Sequence, residues 1–538
     1  MKFKLKTSDA VYNAGLLGLV RIFDNCEIEY AFTDDGGMIV EDTAFESFTE
    51  NYLHSAVDLL GSDMPFRKLE DSYVELKNMS PPLDEGMKKK LEEIKKFLVY
   101  KMNCNSYKAA YSIIGSRGEG YNYIEGLKRI KASADSETLL AEMSASLEKM
   151  KQYRDIFLLK DITYSQIQYF WNGVSFLNSQ ESTTDFISSY DKTFFSPFDS
   201  YVKSLDGSAK RKTTKSCCQC YAEISTPESF SMSWINNQGV DLARKTSPFW
   251  NFKPDLVICP LCALVYSCVP FGFRTKGNES YFINKNTSIK KLRGINNENY
   301  AEDGKSGYYK IIRQFLSTEN RDAAENEINN IQVLKRSGDT IYRNILSKDK
   351  LSAVRNCSKE FERLVKADIK LGDAWHNLFD EVIARIFNHE NLWWLMYAII
   401  YDGIKSNNSY GMSFISDLHK IQNTVYGKGD ATMSDKIIRS AFTSGHRLRA
   451  KMMGPERNEN KVTALSFRLL NALKCKNDKM FLEALMRQYL SEGTTMPYDL
   501  CDMLADEESF LNFGYSFLSG LNSYTYNDGK NKEEKDND

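Results

Sequence analysis

The sequence predicts an α+β fold: a mixed N-terminal region with a zinc-finger-like insertion, followed by a mostly α-helical C-terminal bundle. Three observations carry this expectation. Near the start, "KFKLKTS" alternates apolar and basic residues, and "CEIEYAFTDDGGMIVE" reads as two strand-like runs joined by Asp34-Asp35-Gly36-Gly37. In the middle, "SCCQCYAE" (Ser216–Glu223) and "VICPLCALVYSC" (Val257–Cys268) each hold a Cys-x-x-Cys pair. In the last third, from "NLWWLMYAIIYDGIK" to "SFLSGLNSY", apolar residues recur every 3–4 positions between short polar breaks, the pattern of a helical bundle.

Taken in order, Ser8 or Asp9 can cap the apolar helix "AVYNAGLLGLVRIFD", and a second helix near Asp42 to Leu60 closes a β-α-β-β-α start. Helical patterns follow at Leu83–Lys101, Ser136–Leu159 and Thr163–Leu177, with a glycine-rich loop, "GSRGEGYNY", at Gly115–Tyr123. "SLDGSAKRKTTKS" (Ser204–Ser216) is an exposed basic lead-in to the cysteines. "PFGFRTKGNESYFINKNTSIKKLRG" mixes strand-like and Gly/Asn-rich pieces, and from Ser306 the pattern turns mostly helical. The chain therefore divides into an N-terminal α/β region over 1–205, a cysteine subdomain over 206–275, a mixed to helical remainder over 276–390, a helical bundle over 391–525 and a disordered tail over 526–538.

With 42% hydrophobic and 26% charged residues among 538, the chain can bury a large core. No apolar run reaches the ~18 residues of a membrane helix, and "MKFKLKTSDAVYNAG" lacks an apolar signal segment, so a cytoplasmic location without a membrane is expected. A net charge of −2 excludes a uniformly basic nucleic-acid binder. The charge is nevertheless segregated. Met1–Gly86 carries about ten more acidic than basic groups, whereas Asp435–Arg468 reverses the sign with Lys436, Arg439, Arg447, Arg449, Lys451, Arg457, Lys461 and Arg468.

Cys217, Cys220, Cys259 and Cys262 form two pairs with 38 residues between them. Four thiolates about 2.3 Å from one ion satisfy tetrahedral zinc, and two Cys-x-x-Cys knuckles deliver them. Cys218 and Cys268 lie close enough in sequence to replace a nominal ligand. Three other readings compete. "CPLC" suits a thiol–disulfide oxidoreductase acting through Cys259 and Cys262. A zinc deaminase needs His-x-Glu and a proline before its cysteine pair, and both are missing. A metal-free cysteine cluster is the third. The scattered Cys26, Cys104, Cys357, Cys475 and Cys501 are read as small buried hydrophobes.

A site filled by four thiolates has no open position for water, so it holds a fold together and does not catalyse. Other chemistry is missing too. The chain contains no Gly-x-x-x-x-Gly-Lys-Ser/Thr loop, no His-Asp pair, no His-Glu-x-x-His and no Gly-x-Ser-x-Gly. Its five histidines, His54, His376, His389, His419 and His446, stand apart. The expectation is a binding protein and not an enzyme.

"AGLLGLVRI" with a hairpin after it, the two Cys-x-x-Cys motifs, "FINKNTS" beyond them and "FRLLNALKCKNDKMFLEALMRQYLSEG" recur together, in order along nearly the whole chain. The set resembles the large subunit of type I-B CRISPR Cascade interference complexes, the CXXC–CXXC family. That resemblance implies a non-catalytic, RNA-guided role in antiviral defence. Such a subunit sits beside crRNA-bound Cascade backbone subunits and recognises the protospacer-adjacent motif (PAM) in target double-stranded DNA. It aids R-loop formation, steadies the displaced single strand and recruits a separate helicase–nuclease. The resemblance also implies that the C-terminal bundle is similar to a small subunit that some systems make from an internal start, for which Met396, Met412 and Met433 are candidates. A zinc-stabilised nucleic-acid-binding factor outside CRISPR remains an alternative.

Base edges are read by short polar side chains backed by cations on phosphates. In "FINKNTSIKKLRG", Asn284 and Asn286 are candidate readers, Lys285 sits between them, and Lys290, Lys291 and Arg293 are candidate phosphate contacts. In the glycine-rich loop, Arg117 and Asn122 are the rival readers. Lys210, Arg211, Lys212 and Lys215 offer a further basic loop. In "GHRLRAKM", Arg447 and Lys451 share a helical face, with Arg449 on a neighbouring one, and can carry a single strand electrostatically. Each of these has a plain alternative as an ordinary solvated loop or helix face.

Overall fold

The alternation read in "KFKL" is present in the computed structural model: β1 (Lys2–Leu5) turns Phe3 and Leu5 inward and Lys2 and Lys4 outward. The structure describes residues 1–118, 122–133, 135–170, 186–206, 215–231, 257–276, 279–296, 331–337, 340–346, 356–427, 431–453, 459–497 and 506–523. These form a mostly helical α+β architecture with small antiparallel sheets. They fall into two compact units, one from the described residues of Met1–Asn299 and Ile331–Arg343, the other from those of Asn344–Asp538. Among the described residues, no helix is long and apolar enough to cross a membrane.

The first unit opens with β1, α1 (Ala10–Asn25), β2 (Ala31–Phe32), β3 (Met38–Glu41) and α2 (Phe48–Leu60), the three strands ordered β1-β3-β2. Asp9 caps α1 by accepting from the backbone N–H groups of Val11 and Tyr12. Helix α1 is buried on nearly every side, so it forms the axis of the unit. Phe23 of this helix joins Phe3, Phe48 and Phe198 in packing edge-to-face or tilted against Phe45.

Six helices follow: α3 (Pro65–Lys77), α4 (Glu85–Asn103), α5 (Asn105–Ser116), α6 (Tyr123–Ala132), α7 (Ser136–Gln152) and α8 (Arg154–Ser165). The single helix expected over Ser136–Leu159 is two, because Tyr153 leaves helical geometry at φ −112° and ψ 27°. The expected Thr163–Leu177 helix is also corrected: α8 ends at Ser165, a 3-10 turn covers Ile167–Tyr169, and residues 171–177 lie outside the described set. These helices close on Asp161, which accepts from Lys101 Nζ at 2.9 Å, the Tyr107 hydroxyl at 3.0 Å and the Phe66 N–H at 3.0 Å.

Next come α9 (Phe186–Tyr190), α10 (Ser196–Asp206) and four two-residue strands: β4 (Lys215–Ser216), β5 (Glu223–Ile224), β6 (Phe230–Ser231) and β7 (Val257–Ile258). Helices α11 (Pro260–Ser267) and α12 (Val269–Gly272) lead to β8 (Arg274–Lys276), β9 (Glu279–Asn284) and α13 (Ile289–Asn296). Here the mostly helical reading from Ser306 omits a strand pair: β10 (Ile331–Ser337) and β11 (Thr340–Leu346) complete a sheet ordered β11-β10-β9-β8. The "IQVLKRSGDTIYRNIL" alternation around Ser-Gly-Asp is the hairpin signal that the helical reading passed over.

The second unit contains α14 (Ser358–Leu364), the hairpin β12 (Asp368–Leu371) and β13 (Ala374–Asn377), α15 (Leu378–Phe387), α16 (Trp393–Ser406), α17 (Ile415–Tyr426), α18 (Ala431–Met453), α19 (Glu459–Lys474), α20 (Asp478–Ser491) and α21 (Glu507–Leu521). Every residue of α21 from Phe510 to Leu521 is buried, which makes it the central helix of this bundle. Met396 and Met412 are core residues here. The proposed tail at 526–538 lies outside the described residues.

Candidate metal centre

Two knuckles bring the cysteines together. In the first, β4 pairs with β5, the Tyr221 N–H returns to the Cys217 carbonyl at 2.9 Å, and the Cys220 N–H points at Cys217 Sγ at 3.5 Å. Tyr221 adopts a positive φ of 62° to complete this turn. In the second, Cys259 caps α11 with Pro260 behind it, and its sulfur accepts from the Cys262 N–H at 3.4 Å. The pairing of β6 with β7 and the Cys218 N–H to Val257 carbonyl bond at 2.9 Å join the two knuckles.

The outcome is one cluster. The four Sγ atoms of Cys217, Cys220, Cys259 and Cys262 all lie within 4.8 Å of one another, and Cys220 and Cys259 are 3.6 Å apart. Thiolates about 2.3 Å from a shared ion stand about 3.8 Å apart at the corners of a tetrahedron. The residues present therefore fit a four-sulfur metal site. Without a cation the four cannot all ionise. Donation from Cys220, Cys259 and Cys262 holds Cys217 well below the usual thiol range, and the same contacts push Cys259 and Cys262 up. A bound ion removes this conflict by drawing on all four sulfurs as thiolates.

The two remaining nearby thiols stand outside the cluster. Burial pushes the Cys218 thiol up to about 11, which keeps it protonated, and Cys268 Sγ donates to the Leu264 carbonyl at 3.3 Å. Of the scattered cysteines, Cys357 is buried as expected, Cys26 and Cys104 are half-buried, Cys475 is exposed, and Cys501 lies outside the described residues. The "CPLC" pair is not presented for exchange chemistry, since Cys259 is 1% and Cys262 0% exposed.

Helix α1 seats the centre through features that cysteine spacing does not reveal. The Tyr12 hydroxyl lies 3.8 Å from Cys262 Sγ, and burial, reinforced by charge on Cys262, keeps that phenol protonated so it can donate to a thiolate. Tyr12 also meets Tyr266 edge-on at 5.2 Å, while the Tyr266 hydroxyl donates to Asp9 at 2.7 Å. A Cβ on Gly18 would overlap the Cys268 carbonyl, and one on Gly272 would overlap the Ala14 carbonyl. The glycines of "AGLLGLVRI" are thus the positions where α1 and the α11–α12 corner touch backbone to backbone. Glycine inside an otherwise apolar helix was the available signal.

The candidate DNA contacts separate into buried and exposed groups. Asn284 is 3% exposed, and its oxygen accepts from Asn13 at 2.9 Å while its NH2 donates to Gln332 at 3.2 Å. Lys285 is equally buried. The expectation that these two face a duplex is corrected: a distant helix and the neighbouring strand claim this end of β9. Asn286 is exposed yet also accepts from Asn13, at 3.1 Å. Lys290 is exposed, Lys291 is half-buried, and Arg293 is paired with Asp24 at 3.0 Å.

Arg117 is exposed at the end of α5, and Asn122 caps α6 by accepting from the Glu125 N–H at 3.3 Å. Lys210, Arg211 and Lys212 lie outside the described residues, whereas Lys215 donates to Ser229 at 3.4 Å. On α18, Arg449 is corrected as a surface charge. It is 7% exposed and donates to the Leu521 carbonyl at 3.3 Å. Arg447 and Lys451 are exposed. Lys436, Arg439 and Arg447 line one open groove of about 630 Å³ together with Asp435, Ser440 and Thr443.

Fold and site together define a mixed helical protein with a four-cysteine cluster fit to hold a metal ion. Residues 210–274, which contain that site, match a family described as CRISPR-associated protein (Cas_CXXC_CXXC), and this match supports a CRISPR-associated protein. No curated protein and no solved structure matches the chain.

Proposed function

We propose that the chain is the non-catalytic large subunit of a crRNA-guided type I-B Cascade surveillance complex. In this reading Cys217, Cys220, Cys259 and Cys262 hold one structural Zn2+. The observation that carries it is the closed sulfur cluster inside the segment matched to a CRISPR-associated family. Four protein ligands leave the ion no position for water, so it locks the fold that presents the nucleic-acid surfaces.

Guide pairing supplies sequence discrimination, which leaves the protein a short flanking motif to recognise in the duplex. Exposed side chains that suit that task are Asn286 and Lys290 beside β9, Arg117 at the end of α5 and Asn122 at the start of α6. The groove of Lys436, Arg439 and Arg447 suits the phosphates of a displaced strand, with Lys451 one helical turn beyond. A separate helicase–nuclease then cuts. The chain neither hydrolyses nor oxidises a substrate itself.

The test is to copurify the tagged chain with its neighbours from the native cell. A guide RNA, backbone subunits and a stoichiometric amount of zinc are expected together. A chain that comes out without RNA, or that turns over dithiols unaided, overturns the reading.

A further inference from the structure

The bundle exposes rings that a soluble helix ordinarily buries: Trp394 is 57%, Tyr401 37% and Phe467 37% exposed. They are ordered. Trp394 and Tyr397 stack with centroids 4.9 Å apart at 16°, and Tyr397 and Tyr401 follow at 6.0 Å and 17°. Tyr401 then meets Phe467 of α19 edge-on at 5.8 Å. The spacing 394, 397, 401 places all three on one face of α16.

The charge beside these rings is positive. Lys474 Nζ stands 5.8 Å from the Trp394 ring and 5.4 Å from the Tyr397 ring. Lys405, four residues after Tyr401, is exposed, as is Arg468 next to Phe467. The one carboxylate on α16, Asp402, accepts from the Gly372 N–H at 2.7 Å, and the one on α19, Glu459, is that helix's first residue. Aligned π faces bordered by cations match a chain of flat bases on a polyanionic backbone. An apolar protein partner accounts for the rings but not for the cations.

Resting on the nucleic-acid role given above, we infer that the Trp394–Tyr397–Tyr401–Phe467 face is a base-stacking platform for single-stranded nucleic acid. It is separate from the basic groove on α18, which none of these residues lines. The groove holds phosphates, and the platform holds bases without regard to sequence, because every base has a π face.

The experiment measures binding of the purified full chain to three labelled probes: a mixed-sequence single strand of about 16 nucleotides, an abasic strand of equal length and a duplex. Trp394→Ala with Tyr401→Ala is expected to weaken the mixed strand about tenfold, the low end for losing one or two stacked bases. The abasic strand and the duplex should change less than about twofold, and Trp394→Phe with Tyr401→Phe should recover most of the loss. Trp394→Ala alone, at the most exposed ring, repeats the test if the pair lowers the melting temperature. Unchanged affinity for the mixed strand, or an equal loss on the abasic one, overturns the platform. So does loss of a copurifying protein with strand affinity intact. Absence of guide RNA from the wild-type preparation instead strikes the Cascade role and leaves the strand measurement standing.

Discussion

Each of the two units is built on one helix buried almost all round, and each crosses that helix with a partner through glycine. In the first unit, Gly15 and Gly18 of α1 meet the carbonyls of Val265 and Cys268. In the second, Gly520 of α21 meets the Phe442 carbonyl, and Gly445 of α18 meets that of Phe517. What surrounds the crossing differs. Beside α1 the partner helix is capped by Cys259, a member of the sulfur cluster. Beside α21 lie aromatic rings, Phe481 against Phe510, Phe513 and Phe517, and the buried His419–Asn512 contact at 3.0 Å. On the proposed zinc reading, one crossing is conditional on an ion, the other on packing and on an uncharged histidine.

The sharpest way to break this contrast is to remove the ion. Cys259→Ser with Cys262→Ser should take bound zinc from about one per chain to none. It should also cost the first unit several kcal/mol, since metal binding there is folding free energy. Limited proteolysis should open the first 296 residues and spare the bundle. A melting profile identical to wild type would contradict the clamp.

Acid should act the other way round. His419 is fully buried, its Nδ1 engages Asn512, and its Nε2 has no partner among the described residues. Burial pulls its pKa down from 6.5 to about 4. The unfolded chain therefore takes the proton first, and stability falls as pH drops from about 6.5 towards 4, by up to about 3 kcal/mol. His419→Gln should flatten that decline in the bundle, as read by thermal melts across the range. A decline of equal slope in the variant assigns the acid sensitivity elsewhere.

Gly18→Ala and Gly445→Ala compare the crossings directly. Each should cost about 1–3 kcal/mol by forcing two backbones apart. A chelator should deepen the loss only for Gly18→Ala, and equal deepening in both would erase the distinction. The smallest effect concerns binding: Lys436→Ala and Arg439→Ala should each lower the salt slope for single-stranded DNA by about one. Unchanged slopes would remove the α18 groove from the strand path.

Local pattern was legible where local pattern is what matters. The "KFKL" alternation, the Asp9 cap and the hairpin at Asp34-Asp35-Gly36-Gly37 all involve neighbours in the chain, and all formed. The cysteine quartet was equally legible, because a Cys-x-x-Cys turn creates its own geometry and, among the described residues, the two such turns meet in one cluster. The β10–β11 hairpin was passed over because the helical pattern read from Ser306 onward outweighed a short turn signal.

Side-chain exposure in the polar stretches was another matter. "FINKNTS" reads as an accessible loop, but Asn13, some 270 residues earlier, donates to Asn284 and Asn286. Arg447 and Arg449 are two residues apart, yet the first faces solvent while the second is spent on the Leu521 carbonyl. From residue types and spacing alone came the periodicities, the caps and the two Cys-x-x-Cys turns, since each depends on contacts within a few residues. Which polar groups stay at the surface came only with the packed chain, because burial is set by whatever distant segment arrives to cover them.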